Sequence, residues 1–388
     1  MEKFKLLLVT NTLGKWGETN GVEYTYNNLL PFFRRDSIPC DVVTYGPADR
    51  TETTGSVTIH VHRPRVPLRI DPELTVDLAF GTSRAAGIIR SQHYDLAISA
   101  APDPLGYAAS RAASHGGYPL IGVYHTCLDY YARVRVSARL GRTIGEAAGR
   151  LTRRVLKDYY DRAVLILAPG QQMKQEIEKY LEPRVEVLSR GIDVSSFDPA
   201  RRSRSDGRLQ ALYVGRVAPE KNLELLIRIF SARPHLQLKV VGEGPYLEQM
   251  RLRLPAAEYT GKLTGEQLWR AFADGDIFVF PSLSDTFGNV VRQAHSSGLP
   301  AVVTDSLGPR EQIEHGINGF VAADEAEFGR YVDCLAADNS LRHRMGAAAR
   351  AHAEKFTWER VYERLLQYLE LARELHRLPR QLPPHHTD

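Results

Sequence analysis

The sequence has no apolar run approaching the ~20 residues that an α-helix needs to cross a bilayer, so we expect any membrane contact to be peripheral. It has only three cysteines, Cys40, Cys127 and Cys334, which lie far apart. They show no metal-ligand spacing and cannot all pair, which favours a reducing cytoplasm over secretion. The stretch before Thr10 is too short, and too soon interrupted by charges, for a signal peptide.

A strong charge of one sign is also missing. The 50 Lys and Arg residues against 46 Asp and Glu leave a formal net charge of +4, which makes no case for nucleic acid as a partner. Hydrophobic residues make up 43% and charged residues 25% of the chain, as in ordinary globular proteins. The length of 388 residues predicts two or three domains. Alternating strand and helix patterns predict parallel α/β sheets.

The first strand, loop and helix lack the Gly-x-Gly-x-x-Gly fingerprint of dinucleotide-binding domains. A strand is predicted at 4–10, a polar loop at 11–20, and a helix that opens at Gly21. The acidic residue that would bind a ribose at the end of the second strand is missing near Tyr45. An NAD-dependent oxidoreductase therefore fits the α/β pattern but not the motif.

A stretch in the second half, 277–300, combines a predicted buried strand at 277–280, a turn containing Gly288 and a helix. Free N–H groups and the positive end of the helix dipole point into such a turn, which suits an anion. An ordinary βα turn would show the same local pattern. Asp285 and Gln293 favour a ligand site over an ordinary turn, because they are placed to hold two parts of one ligand.

This stretch resembles the donor-site motif of glycosyltransferase family 4, the retaining nucleotide-sugar transferases with the GT-B fold. The family's motif is Glu, then Phe-Gly, then a second Glu after seven intervening residues. Here Asp285 keeps the first charge on a shorter arm, and Gln293 keeps only hydrogen-bonding capacity at the second position. The positions that match the donor site in this stretch are Asp285, Phe287, Gly288, Asn289, Val290 and Gln293.

Two further segments of the second half match the family pattern. Gly215, Arg216 and Lys221 follow a predicted strand, and in the family such cations bind the donor diphosphate; otherwise they are ordinary surface charges. The segment that resembles the family's nucleobase site is Gly261, Lys262 and Leu263.

Asp274 and Asp276 have the Asp-x-Asp spacing of metal-dependent glycosyltransferases of another fold. They run directly into the predicted strand at 277–280. We therefore interpret them as strand-edge residues and not as metal ligands.

The first half contributes two matching positions. Gly21 corresponds to a glycine that lets the backbone approach the donor phosphate, although a turn glycine would look the same. His125 sits at the carboxyl end of a predicted strand, where ligands gather in open α/β sheets. A lone histidine is more often structural, but in many relatives a histidine at this point contacts the donor sugar.

The segment Arg133–Lys157 carries eight cations and one acid, Glu146. A solvated helical face would explain this composition. The alternative is a basic patch that meets an anionic acceptor or an anionic membrane surface.

The resemblance implies a GT-B fold, in which two Rossmann-like domains with parallel sheets face each other across a cleft. The predicted domains are 1–195 on the acceptor side and 196–357 on the nucleotide-sugar side. A helix at 358–378 is expected to cross back onto the first domain, and 379–388 is expected to be a disordered tail.

The implied function is transfer of a hexose from a UDP- or GDP-sugar to a hydroxyl group of a lipid or glycan acceptor, with retention at the anomeric carbon. The resemblance assigns catalytic roles to His125, Arg216, Lys221 and Asp285. It implies no cofactor and no metal, because two cations and a helix end can neutralise the leaving diphosphate. Since both acidic positions of the motif have changed, a catalytically silent sugar-nucleotide binder is the alternative.

Overall fold

The structure is a computed structural model that describes residues 4–11, 13, 21–71, 74–77, 84–100 and 102–378. Residue 12 and residues 14–20 of the loop predicted at 11–20, and the predicted tail at 379–388, lie outside the described residues. The chain divides into two compact units. One comprises Met1–Ala168, Lys174–Leu188 and Val361–Asp388, and the other comprises Pro169–Met173 and Ser189–Arg360.

The first unit is built on an eight-stranded sheet. Strands up to residue 187 are Leu6–Val9 (β1), Cys40–Tyr45 (β2), Arg50–Thr54 (β3), Val57–His62 (β4), Pro67–Asp71 (β5), Leu74–Asp77 (β6), Leu96–Ser99 (β7), Leu120–Val123 (β8), Leu165–Ala168 (β9) and Arg184–Val187 (β10). The sheet has the order β10-β9-β8-β7-β1-β2-β4-β3. Its pairs are parallel except β3 with β4, and β5 and β6 form a separate antiparallel pair.

Helices connect these strands. They are Gly21–Arg35 (α1), Arg84–Ser91 (α2), Pro104–Gly116 (α3), Leu128–Leu140 (α4), Arg142–Tyr160 (α5) and Gln171–Glu178 (α6). Parallel neighbours require such crossovers, since a tight hairpin can join only antiparallel strands.

The second unit holds a six-stranded parallel sheet of order β13-β12-β11-β14-β15-β16. Its strands are Gln210–Val214 (β11), Gln237–Val241 (β12), Glu258–Gly261 (β13), Ile277–Phe280 (β14), Ala301–Thr304 (β15) and Gly319–Ala322 (β16). Its helices are Leu223–Ser231 (α7), Leu247–Arg253 (α8), Gly265–Ala273 (α9), Asn289–Ser296 (α10), Leu307–Glu311 (α11), Glu325–Ala337 (α12) and Asn339–Ala353 (α13). Residues of β11, β14 and β15 are all buried, because helices cover both faces of a parallel sheet.

The last helix, Trp358–Arg377 (α14), begins in the second unit and packs on the first. The Tyr362 hydroxyl donates to Asp36 at 2.7 Å, and its ring stacks on Phe32 at 5.0 Å between centroids. Further along, the Tyr368 hydroxyl donates to the carbonyl oxygen of Val187 at 3.0 Å. The prediction that this helix crosses back to the first domain is therefore confirmed.

Two predictions in the first unit need correction. The segment 63–72 is rich in Pro and Arg, which predicts a surface loop, but it contains β5, which pairs with β6. Strand β3 was not predicted at all. The basic segment Arg133–Lys157 is not one helix but the end of α4 and most of α5, separated at Gly141. The small antiparallel strands depend on pairing with a neighbouring strand, which the local composition does not reveal.

Candidate active site

Two turns of the second unit lie at the carboxyl ends of neighbouring strands. One spans 215–222 after β11, the other spans 281–288 after β14, and these two strands pair directly. The strand order reverses here, since β12 lies on one side of β11 and β14 on the other. Open α/β sheets bind ligands outside the carboxyl ends of strands at such a reversal. The topology thus brings the predicted residues of both turns to one place.

Hydrogen bonds join the two turns to each other. The Asn222 side-chain nitrogen donates to the carbonyl oxygen of Pro281 at 3.2 Å. The Ser284 hydroxyl donates to the carbonyl oxygen of Glu220 at 3.3 Å. Asn222 adopts a left-handed backbone conformation with φ 55°, which asparagine tolerates better than most residues. The polar groups on the two turns therefore have fixed relative positions.

The most direct contact between the turns is an ion pair. The Lys221 ammonium nitrogen lies 3.0 and 2.9 Å from the two carboxylate oxygens of Asp285. The side chains are only 13% and 23% exposed. A pair this well shielded interacts more strongly than a surface pair, because water screens it less. Two residues that the sequence analysis assigned to one site are thus in contact.

The second cation is paired as well. The Arg216 guanidinium lies 3.3 Å from the carboxylate of Glu220, and both side chains are about four-fifths buried, with 20% and 16% exposed. No role was predicted for Glu220, which stands next to Lys221 in a 3₁₀ turn at Pro219–Lys221. Its position four residues after Arg216 could have predicted this ion pair from the sequence.

Tyr213 lies near the carboxylates of both ion pairs. Its buried hydroxyl donates to the carbonyl oxygen of Arg216 at 2.8 Å. Burial raises the pKa of this hydroxyl well above its usual value, and the nearby carboxylates of Asp285 and Glu220 raise it further. A Cβ atom at Gly215 would lie 2.9 Å from the same hydroxyl oxygen. Glycine is therefore required at 215 for the chain to pass over the tyrosine.

The backbone of the α11 segment packs closely against the turn at 281–288, which precedes α10. A Cβ atom at Gly308 would come within 2.3 Å of the Phe287 nitrogen, so the α11 segment lies directly against the turn. Gly288 has a φ of 79° and forms the N-cap of α10. The side-chain nitrogen of Gln312 donates to the carbonyl oxygens of Phe287 and Gly288. These contacts leave the turn little freedom.

Helix α10 carries the remaining positions of the motif. Gln293 is 8% exposed, and its side chain makes no hydrogen bond with another described residue. The Asn289 side-chain oxygen is buried and has no partner among the described residues. Val290 is partly buried against the hydrophobic core of the unit. Unsatisfied polar groups in a buried position commonly mark a place that a ligand or water fills.

The ends of β12 and β13 adjoin the turn after β11. The Gly215 nitrogen donates to Val241 O at 3.0 Å, and the Gly242 nitrogen donates to Gly261 O at 2.9 Å. A Cβ atom at Gly242 would lie 1.9 Å from the Gly215 carbonyl oxygen. Lys262 is exposed and Leu263 packs partly on the core. The predicted nucleobase segment, 261–263, is therefore linked through 241–242 to the predicted diphosphate turn.

Arg292 packs against Phe287 of the turn at 281–288, and no role was predicted for it from the sequence. Its guanidinium stacks on the rings of Phe287 and Phe356, at 4.7 and 3.8 Å from their centroids, and donates to Ser189 at 3.1 Å. Burial lowers the pKa of Arg292 to about 9. The neighbouring His295 is fully buried, which lowers its pKa to about 3, so its ring is neutral. The sequence did contain a signal for Arg292, because it is a charged residue on the helix face that otherwise presents apolar side chains to the core.

Asp274 and Asp276 have structural partners. The Asp274 carboxylate accepts from the backbone nitrogens of Ser203 and Arg204 at 2.6 and 2.8 Å. Asp276 pairs with Arg202 at 2.9 Å and also with Arg204. The two carboxylates thus hold the polar segment that precedes β11. In the described part of the chain, no group of three or more His, Cys, Asp and Glu side chains could hold a metal ion.

The first unit holds the other two predicted positions. Gly21 is the exposed first residue of α1. His125 follows β8, and its ring meets that of Tyr26 edge-on at 6.0 Å between centroids. Asp103, also buried at this edge of the sheet, caps α3 and accepts from Asn11; burial raises its pKa to about 6. The sequence around it, 101–106, resembles the family pattern, but no role was predicted for Asp103 itself.

Comparison with known proteins gives matches along most of the chain. Residues 195–352 match the family of glycosyl transferases group 1, and residues 19–196 match glycosyltransferase family 4. A GDP-mannose-dependent alpha-mannosyltransferase of Mycolicibacterium smegmatis is 33% identical over 84% of this chain and 84% of its own length. The protein of the same name from Mycobacterium tuberculosis is 30% identical over 92% of this chain and 94% of its own length.

Solved structures agree in fold. Sucrose-phosphate synthase from Thermosynechococcus elongatus superimposes with a TM-score of 0.79 at 16% identity, over 95% of this chain and 99% of its own. Anabaena HepE in complex with UDP and glucose gives a TM-score of 0.71 at 16% identity, over the same shares of the two chains. At this identity the likeness establishes the fold alone, and the predicted two-domain GT-B fold is confirmed.

Proposed function

Since the chain belongs to glycosyltransferase family 4, we propose that it transfers mannose from GDP-mannose to a hydroxyl group of a lipid or glycan acceptor. The chain is a hexosyltransferase that uses a nucleoside diphosphate sugar, as the motif resemblance predicted. The catalytically silent alternative and the oxidoreductase alternative are both set aside by the family membership. The choice of GDP-mannose is supported by the two mycobacterial relatives, which carry that donor in their names and align over most of their length.

The donor diphosphate is held by Arg216 and Lys221. The observation that carries this proposal is the position of both cations at a strand-order reversal beside the turn at 281–288, where Lys221 contacts the Asp285 carboxylate. Charge on the leaving diphosphate grows as the glycosidic bond breaks. Two fixed cations and the N–H groups of Gly288 and Asn289 at the start of α10 then stabilise that charge most in the transition state.

The other positions contact the rest of the donor. Asp285 accepts hydrogen bonds from mannose hydroxyls, and the amide of Gln293 binds the ribose. The segment 261–263 binds the nucleobase. The remaining positions are carried over from the resemblance: Gly21 lets the backbone approach the donor phosphate, and His125 contacts the sugar. Gly215, Phe287 and Val290 are further donor-binding residues.

The reaction proceeds with retention. The acceptor oxygen bonds to the anomeric carbon as the bond from that carbon to the phosphate oxygen breaks. The acceptor's proton passes to the departing phosphate oxygen on the same face of the sugar. No divalent metal takes part, because the cations and the helix end supply the neutralising charge.

A donor screen tests this proposal. GDP-mannose, GDP-glucose, UDP-glucose and UDP-GlcNAc are offered with a mixed lipid and oligosaccharide acceptor pool, and nucleoside diphosphate release is measured with and without EDTA. We expect release from GDP-mannose alone, unchanged by EDTA, and an α-linked product by NMR. Turnover restricted to UDP-sugars would contradict the donor, loss in EDTA restored by Mn²⁺ would contradict metal independence, and a β-linked product would contradict retention.

We also propose that the hairpin formed by α4 and α5 contacts an anionic membrane. Ile144, Leu151 and Val155 are each about half or more exposed and recur at i, i+7 and i+11 of α5, so they form one apolar stripe facing solvent. Leu140 and Val134 of α4 are exposed as well. An apolar stripe bordered by cations is typical of a helix that lies in the membrane interface.

The cations of this hairpin differ in their partners. Acids outside the segment bind two of them: Asp129 pairs with Arg153 at 2.7 Å, and Asp161 pairs with Lys157 at 2.5 Å. The expectation of a single opposing acid, Glu146, was therefore wrong. The exposed arginines that pair with no acid among the described residues are Arg139, Arg142, Arg150 and Arg154. They leave the hairpin basic beside its apolar stripe.

Within the described residues, no helix is long and apolar enough to cross a membrane. Vesicle sedimentation tests the peripheral contact. We expect recovery with phosphatidylglycerol vesicles at low salt, less recovery at high salt, and a loss in the variant with Ile144→Ser and Leu151→Ser. Equal recovery with neutral and anionic vesicles would leave the solvated-face interpretation standing.

A further inference from the structure

Both cations assigned to the diphosphate are paired before any donor enters. Arg216 contacts the carboxylate of Glu220, and Lys221 contacts that of Asp285. The proposed function explains why Asp285 is present, since its carboxylate accepts hydrogen bonds from the sugar hydroxyls when the donor is bound. Glu220 has no such purpose, yet its side chain is the less exposed of the two carboxylates, at 16% against 23%.

The position of Glu220 is fixed by its backbone. It lies in the 3₁₀ turn Pro219–Lys221, and its carbonyl oxygen accepts from the Ser284 hydroxyl at 3.3 Å. Its carboxylate is among the charges that raise the pKa of buried Tyr213, together with that of Asp285. The two carboxylates therefore share one partly buried neighbourhood, and the turn fixes the backbone from which the Glu220 side chain reaches Arg216.

We propose that Glu220 is a positioning residue that holds Arg216 between turnovers and competes with the diphosphate for it, which promotes release of the nucleoside diphosphate product. This inference rests on the proposed function, because it requires Arg216 to bind a diphosphate. Glu220 is not assigned a catalytic role, since it acts through its contact with the arginine.

The competition favours release over donor binding for an electrostatic reason. In the donor, the second phosphate is esterified to the sugar. After transfer it gains an ionisable oxygen with a pKa near ~6, so the product carries more negative charge at neutral pH. The repulsion between Glu220 and the ligand therefore increases as the reaction proceeds. At the same time Glu220 offers Arg216 a replacement partner, so the guanidinium is not left unpaired when the product departs.

The test is binding of GDP, and of guanosine for comparison, to the full chain and to Glu220→Gln, by isothermal titration calorimetry. Glutamine keeps an acceptor for Arg216 and removes only the charge. One unit charge a few ångströms from a diphosphate, partly screened by solvent, corresponds to about a tenfold change in affinity. We expect GDP to bind about tenfold more tightly to the variant, its product-inhibition constant to fall by the same factor, and guanosine binding to stay unchanged.

Glu354→Gln serves as the matched control. Glu354 pairs with Arg350 at 2.7 Å with the same i,i+4 spacing, and that arginine is 20% exposed, like Arg216, but neither residue belongs to the candidate site. The control removes the same charge and should leave GDP binding unchanged. Glu220→Ala provides a second variant with the same expected direction.

Unchanged or weaker GDP binding by both Glu220 variants, with wild-type thermal unfolding, would overturn the inference. Equal tightening of GDP and guanosine would also overturn it, since a charge effect must follow the phosphates. If the wild-type chain binds neither GDP nor UDP, the proposed function itself fails. That outcome is recognised from the wild type alone, before any variant is compared.

Discussion

Cations are held in opposite ways in the candidate site and in the α4–α5 hairpin. Lys221 and Arg216 are mostly buried and each contacts a carboxylate that its own turn or the neighbouring turn provides. Arg150 and Arg154 of the hairpin are exposed, and neither pairs with an acid among the described residues. The first arrangement fixes the direction of each charge, and the second leaves the charges mobile at a surface.

The difference indicates two kinds of electrostatic work. A preorganised charge stabilises a transition state strongly, because no reorganisation is needed when the reaction occurs. Exposed charges contribute little individually and are screened by salt, so a surface patch acts through the number of its charges. Substitutions in the site should therefore have large effects one at a time, and substitutions in the hairpin should have small effects that add up.

Asp285→Asn should have the largest effect. It removes the charge that holds Lys221 and that accepts from the sugar hydroxyls through the transition state. We expect kcat to fall by about 10²- to 10³-fold, the range found for loss of one preorganised polar group. Asp333→Asn is the control, because Asp333 pairs with Arg233 at 2.6 Å outside the site and should leave kcat unchanged. Full kcat in Asp285→Asn would show that another residue carries the role.

Lys221→Ala should come next. A charge-assisted hydrogen bond contributes ~1.5–3 kcal/mol, so kcat/KM should fall by about one to two orders of magnitude. Lys239→Ala is a matched control: Lys239 is 16% exposed, close to the 13% of Lys221, and pairs with Glu258 at 3.1 Å. An unchanged rate in a folded Lys221→Ala protein would remove the diphosphate assignment.

Substitution of Arg150 and Arg154 by alanine tests the hairpin. Each cation near an anionic bilayer contributes ~1 kcal/mol, which is about fivefold in affinity. We expect single variants to bind phosphatidylglycerol vesicles about fivefold more weakly and the double variant about 25-fold. The control is the double alanine variant of Arg330 and Arg344, which lie outside the hairpin. It lowers the net charge by the same amount and should bind the vesicles as the wild type does. Indistinguishable binding by the two double variants would refute the assignment to the hairpin.

Gln293→Glu should have the smallest effect. The residue is placed at the ribose, where an amide can replace the carboxylate of the commoner motif, and the two kinds of hydrogen bond differ by ~1 kcal/mol. We expect kcat to stay within a few-fold while KM for the donor changes. A collapse of kcat in Gln293→Ala, beside a fully active Asp285→Asn, would mean that the two roles are reversed.

Sequence reading succeeded where the local pattern and the fold agree. Strand β14 was predicted with its observed bounds, 277–280, because a short apolar run between turn residues is typical of a parallel sheet covered on both faces. Strand β3 was missed because its residues are polar and it depends on pairing with β4. The roles of the site residues remain predictions. The site residues of the second unit do lie at the ends of neighbouring strands.

The sequence by itself determined the family, the α/β architecture and the identity of the charged residues, since these depend on motifs and on local periodicity. Only the tertiary structure decided how those charges are paired. Lys221 and Asp285 are 64 residues apart in the chain, and they meet because β11 and β14 are neighbours in the sheet. The same packing places Arg292 between the rings of Phe287 and Phe356. It also brings Asp274 and Asp276 into contact with the polar segment that precedes β11. Contacts between distant parts of the chain follow from strand order, and no local pattern encodes that order.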